Sequence, residues 1–213
     1  MATYQKGILG PFAGKVGTVI GANWRGKEIL RSLPRKSGKK PSLLQMQQRM
    51  KFTAVTEFLT PFNPILIRFY GGDEGEKTRG NKAFAYHIKD ALEFVDPDYV
   101  IQYEKVILSR GTLPALENVT VTPEANQTVT LTWTDNSAQV LAASTDRVFI
   151  GIYALENGQS VCNLSVALRG ATTGSLVLPV SFVGKTIHLW IGVSNVSEED
   201  CSTSTYLGTI TVQ

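Results

Sequence analysis

The spacing of apolar and polar positions changes character along the chain. Residues 1–14 set small and apolar side chains among glycines and one proline, too irregular for a helix and too apolar for a solvated tail. Val16–Ile20 and Glu28–Ser32 are β-branched or alternating, and Trp24-Arg25-Gly26-Lys27 between them supplies the glycine of a tight turn. The pattern predicts a glycine-rich β-hairpin or three-stranded ribbon, with Ile29 and Arg31 on one face and Leu30 and Ser32 on the other. Such a ribbon is marginal alone and is expected to pack on the helices that follow or on a neighbour. Pro34 to Pro41 reads as an exposed basic linker. Ser42 with Gln45 three residues later forms a capping box for a helix. Leu43, Met46, Met50, Ala54 and Phe58, with Phe52, Val55, Leu59 and Phe62, give two adjoining apolar stripes, wide enough for burial on more than one side. Pro61 and Pro64 bend or end this helix, and Ile65–Tyr70 is a further apolar piece before Gly71-Gly72. A second helix is predicted over Asn81–Val95, then a strand over Tyr99–Leu108 that pairs with the ribbon. Gly111 and Pro114 mark a domain boundary.

From Leu116 the texture becomes seven short β runs separated by turn signals: Val119–Thr122, Val129–Thr134, Val148–Leu155, Val161–Leu168, Ser175–Leu178, Thr186–Ser194 and Tyr206–Val212. About one hundred residues with that spacing predict an immunoglobulin-like sandwich. Leu131, Trp133, Tyr153, Leu189, Ile191 and Val193 are the expected inward positions. Trp133 in Val129-Thr130-Leu131-Thr132-Trp133-Thr134 resembles the core tryptophan of fibronectin type III domains. The fold class is therefore α+β: a glycine-rich N-terminal β-ribbon with two or three helices, then a C-terminal seven-stranded sandwich. The expected divisions are a basic arm and ribbon over 1–40, a helical and β body packed with the ribbon over 41–113, and the sandwich over 114–213.

Charge alters this picture more than composition does. The net charge of +3 hides a polarised molecule: residues 1–51 carry eleven Lys and Arg against Glu28 alone, a net of +10, and the rest carry ten against seventeen acids, a net of −7. Such asymmetry points to a negatively charged partner: nucleic acid, an acidic protein surface, or the acidic half of another copy. Trp24, Arg25, Lys27, Arg31, Arg35, Lys36, Lys39 and Lys40 are the candidate contacts, with Ile8, Leu9, Phe12 and Val16 as the apolar side of an assembly arm. Only Trp24 is interleaved as an aromatic, no named nucleic-acid motif is present, and the apolar arm asks for a protein groove or sheet edge more than for a duplex. No apolar run matches a secretory signal or the roughly 18 residues of a membrane span, so a cytoplasmic or particle-borne chain without a membrane partner is expected.

Reactive chemistry finds little support. Gly10-Pro11-Phe12-Ala13-Gly14-Lys15-Val16 approaches a phosphate-binding loop but has three residues between its glycines and Val16 where Ser or Thr belongs. His87 reads as a packed histidine, and it falls in a different division from His188, leaving no nucleophile and base pair. Cys162 and Cys201 read as buried free thiols. Asp73-Glu74-Gly75-Glu76 lacks calcium-loop spacing, and Glu198-Glu199-Asp200 reads as a solvated loop. No cofactor or metal is expected, and no enzymatic activity.

Several motifs together carry a family resemblance: Lys6-Gly7-Ile8-Leu9-Gly10-Pro11-Phe12, Gly14-Lys15-Val16-Gly17, Trp24-Arg25-Gly26, Arg31-Ser32-Leu33-Pro34, Gln48-Arg49, Asn81-Lys82-Ala83-Phe84, Val106–Gly111, and Ser202 to Gly208. They resemble an uncharacterised family of Bacteroidota proteins catalogued as a domain of unknown function, which implies no activity. The layout is also similar to structural proteins of tailed bacteriophages. Both readings lead to one expectation: a non-enzymatic structural subunit that forms a homo-oligomer, a ring or a phage-like particle component, through its N-terminal arm. The alternative is a nucleic-acid-binding protein that uses the basic region.

Overall fold

The computed structural model describes residues 3–4, 10, 12–24, 26–34, 38, 40–72 and 77–213, and the chain divides into two packing units, Met1–Ser42 and Leu43–Gln213. In the first, β1 (Thr3–Tyr4), β2 (Phe12–Val16), β3 (Val19–Trp24) and β4 (Lys27–Ser32) pair antiparallel in chain order. The glycine-rich stretch from Phe12 is thus strand rather than phosphate-binding loop.

The second unit begins with α1 (Leu43–Leu59), which passes through a 3-10 turn at Thr60–Phe62 into α2 (Asn63–Phe69). Pro61 and Pro64 each fall in the first turn of the new element, where a missing N–H removes no intrahelical bond. Burial of α1 is one-ended. Val55, Phe58 and Leu59 are buried, whereas Leu43, Leu44 and Phe52 are 71, 76 and 55% exposed, so the two-sided burial expected from the stripes applies only to the C-terminal half.

Helix α3 (Arg79–Asp90) is capped by Thr78, whose side chain accepts the Asn81 N–H at 3.3 Å. It stops at Asp90 and does not reach Val95. Leu92–Val95 is instead strand β5, paired antiparallel with β6 (Asp98–Ile101) across Asp96-Pro97. Aromatic and β-branched residues suit this cross-strand pairing better than a helix ending in proline, and the Phe94 and Tyr99 rings lie 5.0 Å apart. The strand expected over Tyr99–Leu108 accordingly ends at Ile101, its sheet partner is β5 rather than the ribbon, and a 3-10 turn follows at Tyr103–Lys105.

Two sheets fill the remainder. β7 (Glu117–Glu124), β8 (Thr128–Thr134) and β11 (Thr173–Val177) form one in the order β11-β8-β7; β9 (Arg147–Ala154), β10 (Ser160–Leu168), β12 (Thr186–Ser194) and β13 (Thr205–Thr211) form the other, β10-β9-β12-β13. Between them lies a core of Leu131, Trp133, Val148, Ile150, Ile152, Leu189, Ile191 and Val193. Alternation then puts Phe149, Tyr153, His188 and Trp190 on the outer face of the larger sheet. That face is also covered: Phe149 and Trp190 pack in a second core with Val55, Phe58, Phe62, Ile65 and Phe69. Tyr153 therefore faces the helices, not the sandwich interior. Phe69 stacks on Phe149 at 4.8 Å, and Trp190 meets Phe62 edge-on at 5.9 Å.

The segment after β6 closes this layer. Phe69 O accepts from Arg110 N at 2.8 Å, Leu108 N donates to Ser204 Oγ at 2.8 Å, and Ser109 Oγ donates to Ser202 O at 2.8 Å. Helices and sandwich are one packing unit, and the boundary expected near residue 113 does not separate them. At one end of the sandwich a fully buried Arg169 donates to Asp146 Oδ2 (3.1 Å), Asn136 Oδ1 (2.6 Å) and Pro114 O (2.9 Å), fixing the entry of the chain into β7.

The helical cover depends on a gap in the outer face at Gly151. A β-carbon there would lie 2.5 Å from Leu108 Cδ1 and 3.1 Å from the Phe62 ring. Gly151→Val is expected to lower unfolding free energy by about 1–3 kcal/mol through overpacking, read from the denaturant midpoint; an unchanged midpoint would refute the close approach.

Candidate interaction surface

Two short connections set the register of the N-terminal sheet. Val16 pairs with Val19 around Gly17-Thr18, and Gly17 at φ 58 takes the left-handed first position of a primed hairpin turn. Trp24 pairs with Lys27, with Gly26 at φ 77 and its N–H donated to Asn23 Oδ1 at 3.0 Å. Lys15 then stands opposite Ile20, Ile20 opposite Arg31, and Ala22 opposite Ile29. Lys15, Lys27 and Arg31 thereby share one face with Ile20, Trp24 and Ile29. Glu28 falls on the other face, with Val16, Val19 and Leu30. On that second face Gly21 lets Phe12 cross: a β-carbon at 21 would collide with the Phe12 carbonyl and ring.

Among the described residues of this unit Phe12 lies against Gly21 on the second face, and no side chain on either face is buried. Trp24, Val16 and Leu30 are 48, 47 and 69% exposed, and Gly21 is the one buried described residue of residues 1–42. An open groove of about 850 Å³ runs beside Val19, Leu30 and Leu33. The N-terminal unit carries nine basic residues against Glu28, a net of +8, and residues 43–213 carry twelve against seventeen acids, a net of −5.

Of the sequence-derived contacts, Trp24, Lys27 and Arg31 meet on this face, Lys40 lies exposed beyond the strands, and Phe12 and Val16 lie on the opposite face. Arg25, Arg35, Lys36, Lys39, Ile8 and Leu9, like the Asp73–Glu76 loop, are outside the described residues. Lys15, which the charge pattern did not single out, joins Trp24, Lys27 and Arg31 on this face. Its signal was the Gly17-Thr18 turn, which places it two strands from Arg31 on the same side.

Elsewhere the reactive side chains have structural partners. Cys162 and Cys201 are free thiols pushed up to about 11 by burial, and Cys201 Sγ donates to Phe69 O at 3.0 Å. Glu198 is not simply solvated: it pairs with Arg68 at 3.1 Å and Arg147 at 3.7 Å. Burial opposes ionisation of Asp200, yet hydrogen bonds from Thr112 and Cys201 hold its carboxyl below the usual range. His188 stacks on Tyr103 at 3.9 Å with Nδ1 2.8 Å from Tyr206 Oη. Among the described residues no three His, Cys, Asp or Glu converge as a metal site, and no helix is long and apolar enough to cross a membrane.

The fold defines a mostly β protein with a small helical layer. The chain belongs to the family of unknown function DUF6266, whose model matches residues 11–208. No curated protein matches it. Solved structures that are similar include the fibronectin type III domain of human collagen alpha-1(XX), at 10% identity and TM-score 0.32, covering 46% of this chain and 84% of that one. The FN1–FN3 domains of chicken CNTN1 match at 13% identity and TM-score 0.35, over 49% of this chain and 34% of that one. The human contactin 1 domain matches at 14% and 0.30, over 48% and 77%. Several motif segments of the family resemblance meet in space, Ser109 on Ser202 and Leu108 on Ser204, where they join the helical layer to the sandwich.

His87 is a packed histidine: it is fully buried, with Nδ1 2.7 Å from Ala83 O and Nε2 accepting the Ile107 N–H at 3.3 Å. The tautomer is therefore neutral with its proton on Nδ1, and burial holds the pKa below 6.5. The unfolded chain binds the proton more readily, so this contribution is complete above 6.5 and is lost as pH falls below it. Burial of His188 acts with the same sign. The denaturant midpoint should fall between about pH 7.5 and 5.5, and less steeply in His87→Gln; equal slopes would contradict the assignment.

Proposed function

We propose that this chain is a non-enzymatic structural subunit that assembles with copies of itself through its N-terminal unit. The observation that carries the reading is the uncovered sheet. It presents Trp24, Ile29, Val16, Val19 and Leu30 to solvent on its two faces, and among the described side chains of its own unit Phe12, over Gly21, is the one that lies across a face. A thin sheet with apolar groups on both sides is unstable in water until something packs on it. Among the described strands β4 is also an edge of the sheet, and an edge strand is a template for strand addition. The opposite charges of the two units supply long-range attraction between copies. A ring or a phage-like particle component is the assembly this layout fits, and the fibronectin-like sandwich serves as its packing or display module.

One observation favours a second reading. Lys15, Lys27 and Arg31 beside an exposed Trp24 on one face also suit a nucleic-acid backbone with a stacked base.

Light scattering after gel filtration separates the two. The full chain should elute as a discrete multi-subunit species that dissociates at high salt, and removal of residues 1–42 should leave a folded monomer. A monomeric full chain that binds DNA or RNA oligonucleotides with steeply salt-dependent affinity would overturn the assembly reading in favour of the second.

A further inference from the structure

We infer that the receiving surface for the basic face of the N-terminal sheet is the outer face of the β5–β6 hairpin on a second copy of this chain; the inference rests on the assembly reading above. In the hairpin Glu93 stands opposite Val100 and Val95 opposite Asp98, so these four side chains share one face. All four are exposed, Val95 at 54% and Val100 at 46%. The other face is covered at one end: Ile101 belongs to the core beneath the helices and Leu92 packs against it, while Phe94 on the same face is 51% exposed. Lys51, whose Nζ lies 5.2 Å from the Tyr99 ring centroid, belongs to that inner side, since Tyr99 pairs with Phe94 and alternates with Val100.

The hairpin lies in the most acidic stretch of comparable length in the second unit. Residues 90–104 hold Asp90, Glu93, Asp96, Asp98 and Glu104 and no Lys or Arg. Its outer face alternates carboxylate with valine, and the N-terminal sheet alternates cation with apolar side chain: Lys27 and Arg31 flank Ile29 on β4. Both surfaces are faces of antiparallel strands, so they can stack as sheet on sheet. Apolar groups then meet apolar groups at about 10 Å separation, and each carboxylate meets a cation.

A partner other than this chain would need the same acid and valine alternation, which the chain already carries. Because the two faces are different patches of one molecule, the contact is heterologous. Repeated from copy to copy, it closes a ring or extends a filament, according to the rotation between subunits.

The test uses the full chain and charge reversal on each side, with light scattering against concentration at low salt. Glu93→Lys with Asp98→Lys, and separately Lys27→Glu with Arg31→Glu, should each raise the concentration of half-assembly by about tenfold or more. Combining all four substitutions should return it to within about threefold of the wild type, because the pairs are restored in reverse. Glu124→Lys with Glu199→Lys makes the same net charge change away from the hairpin and should leave assembly unchanged. Thermal melts monitor folding, and all the substituted side chains are exposed. A wild type that assembles while the hairpin variant assembles equally well overturns this surface but leaves the assembly reading standing. A wild type that stays monomeric at every concentration overturns both.

Discussion

A β-sheet that is apolar on both faces cannot be left facing water, and this constraint organises the second unit. Strands β9 and β12 are buried along almost their whole length, one side against β7, β8 and β11 and the other against the helices. Parallel sheets commonly show such two-sided burial; antiparallel sandwiches usually keep one side wet. Here α1, its 3-10 turn and α2 take the place of that water, with Phe58, Phe62 and Phe69 laid over Trp190 and Phe149. Gly151 gives Phe62 and Leu108 their approach. The helical segment is therefore a necessary layer of the sandwich, and the hydrogen bonds joining Leu108, Ser109, Ser202 and Ser204 stitch its edge.

Among the described residues of 1–42 no side chain is buried, and the proposed assembly rests on that exposure. Two tight glycine turns fix a register in which cations and apolar side chains share one face, and glycine at 21 keeps the sheet thin. Thinness is useful for an insert between larger bodies and unfavourable for a free domain. The two units carry net charges of +8 and −5, which in the proposed assembly attract one another between copies.

Much of this was legible in the amino-acid order, through period-two alternation at Val129–Thr134 and Thr186–Ser194 and through the turn glycines. The two-sided burial of β9 also left a mark that alternation alone overlooks: Val148-Phe149-Ile150-Gly151-Ile152-Tyr153 has no polar position, so no side of it is suited to water. Helix periodicity carried too far at Asn81–Val95, because Phe84, Ile88, Ala91 and Val95 fit a helical stripe that strand pairing across Asp96-Pro97 overrode. The Arg169 network was illegible for a different reason. Its members, Asn136, Asp146 and the Pro114 carbonyl in loops and Arg169 at the start of a 3-10 turn, lie far apart in sequence and meet only once the sheets have formed. On the basic face of the N-terminal sheet Trp24, Lys27 and Arg31 were visible as charge and aromatic content. Their gathering with Lys15 on one side required the register.

Hydrogen–deuterium exchange on the full chain at low and high protein concentration tests the central claim most directly. Amides of β9, β12 and α2 should exchange slowly at both concentrations, as parts of one covered unit, while those of β2, β3 and β4 should pass from fast to protected as concentration rises. Protection of β2 to β4 that is the same at both concentrations would contradict a sheet that waits for another copy.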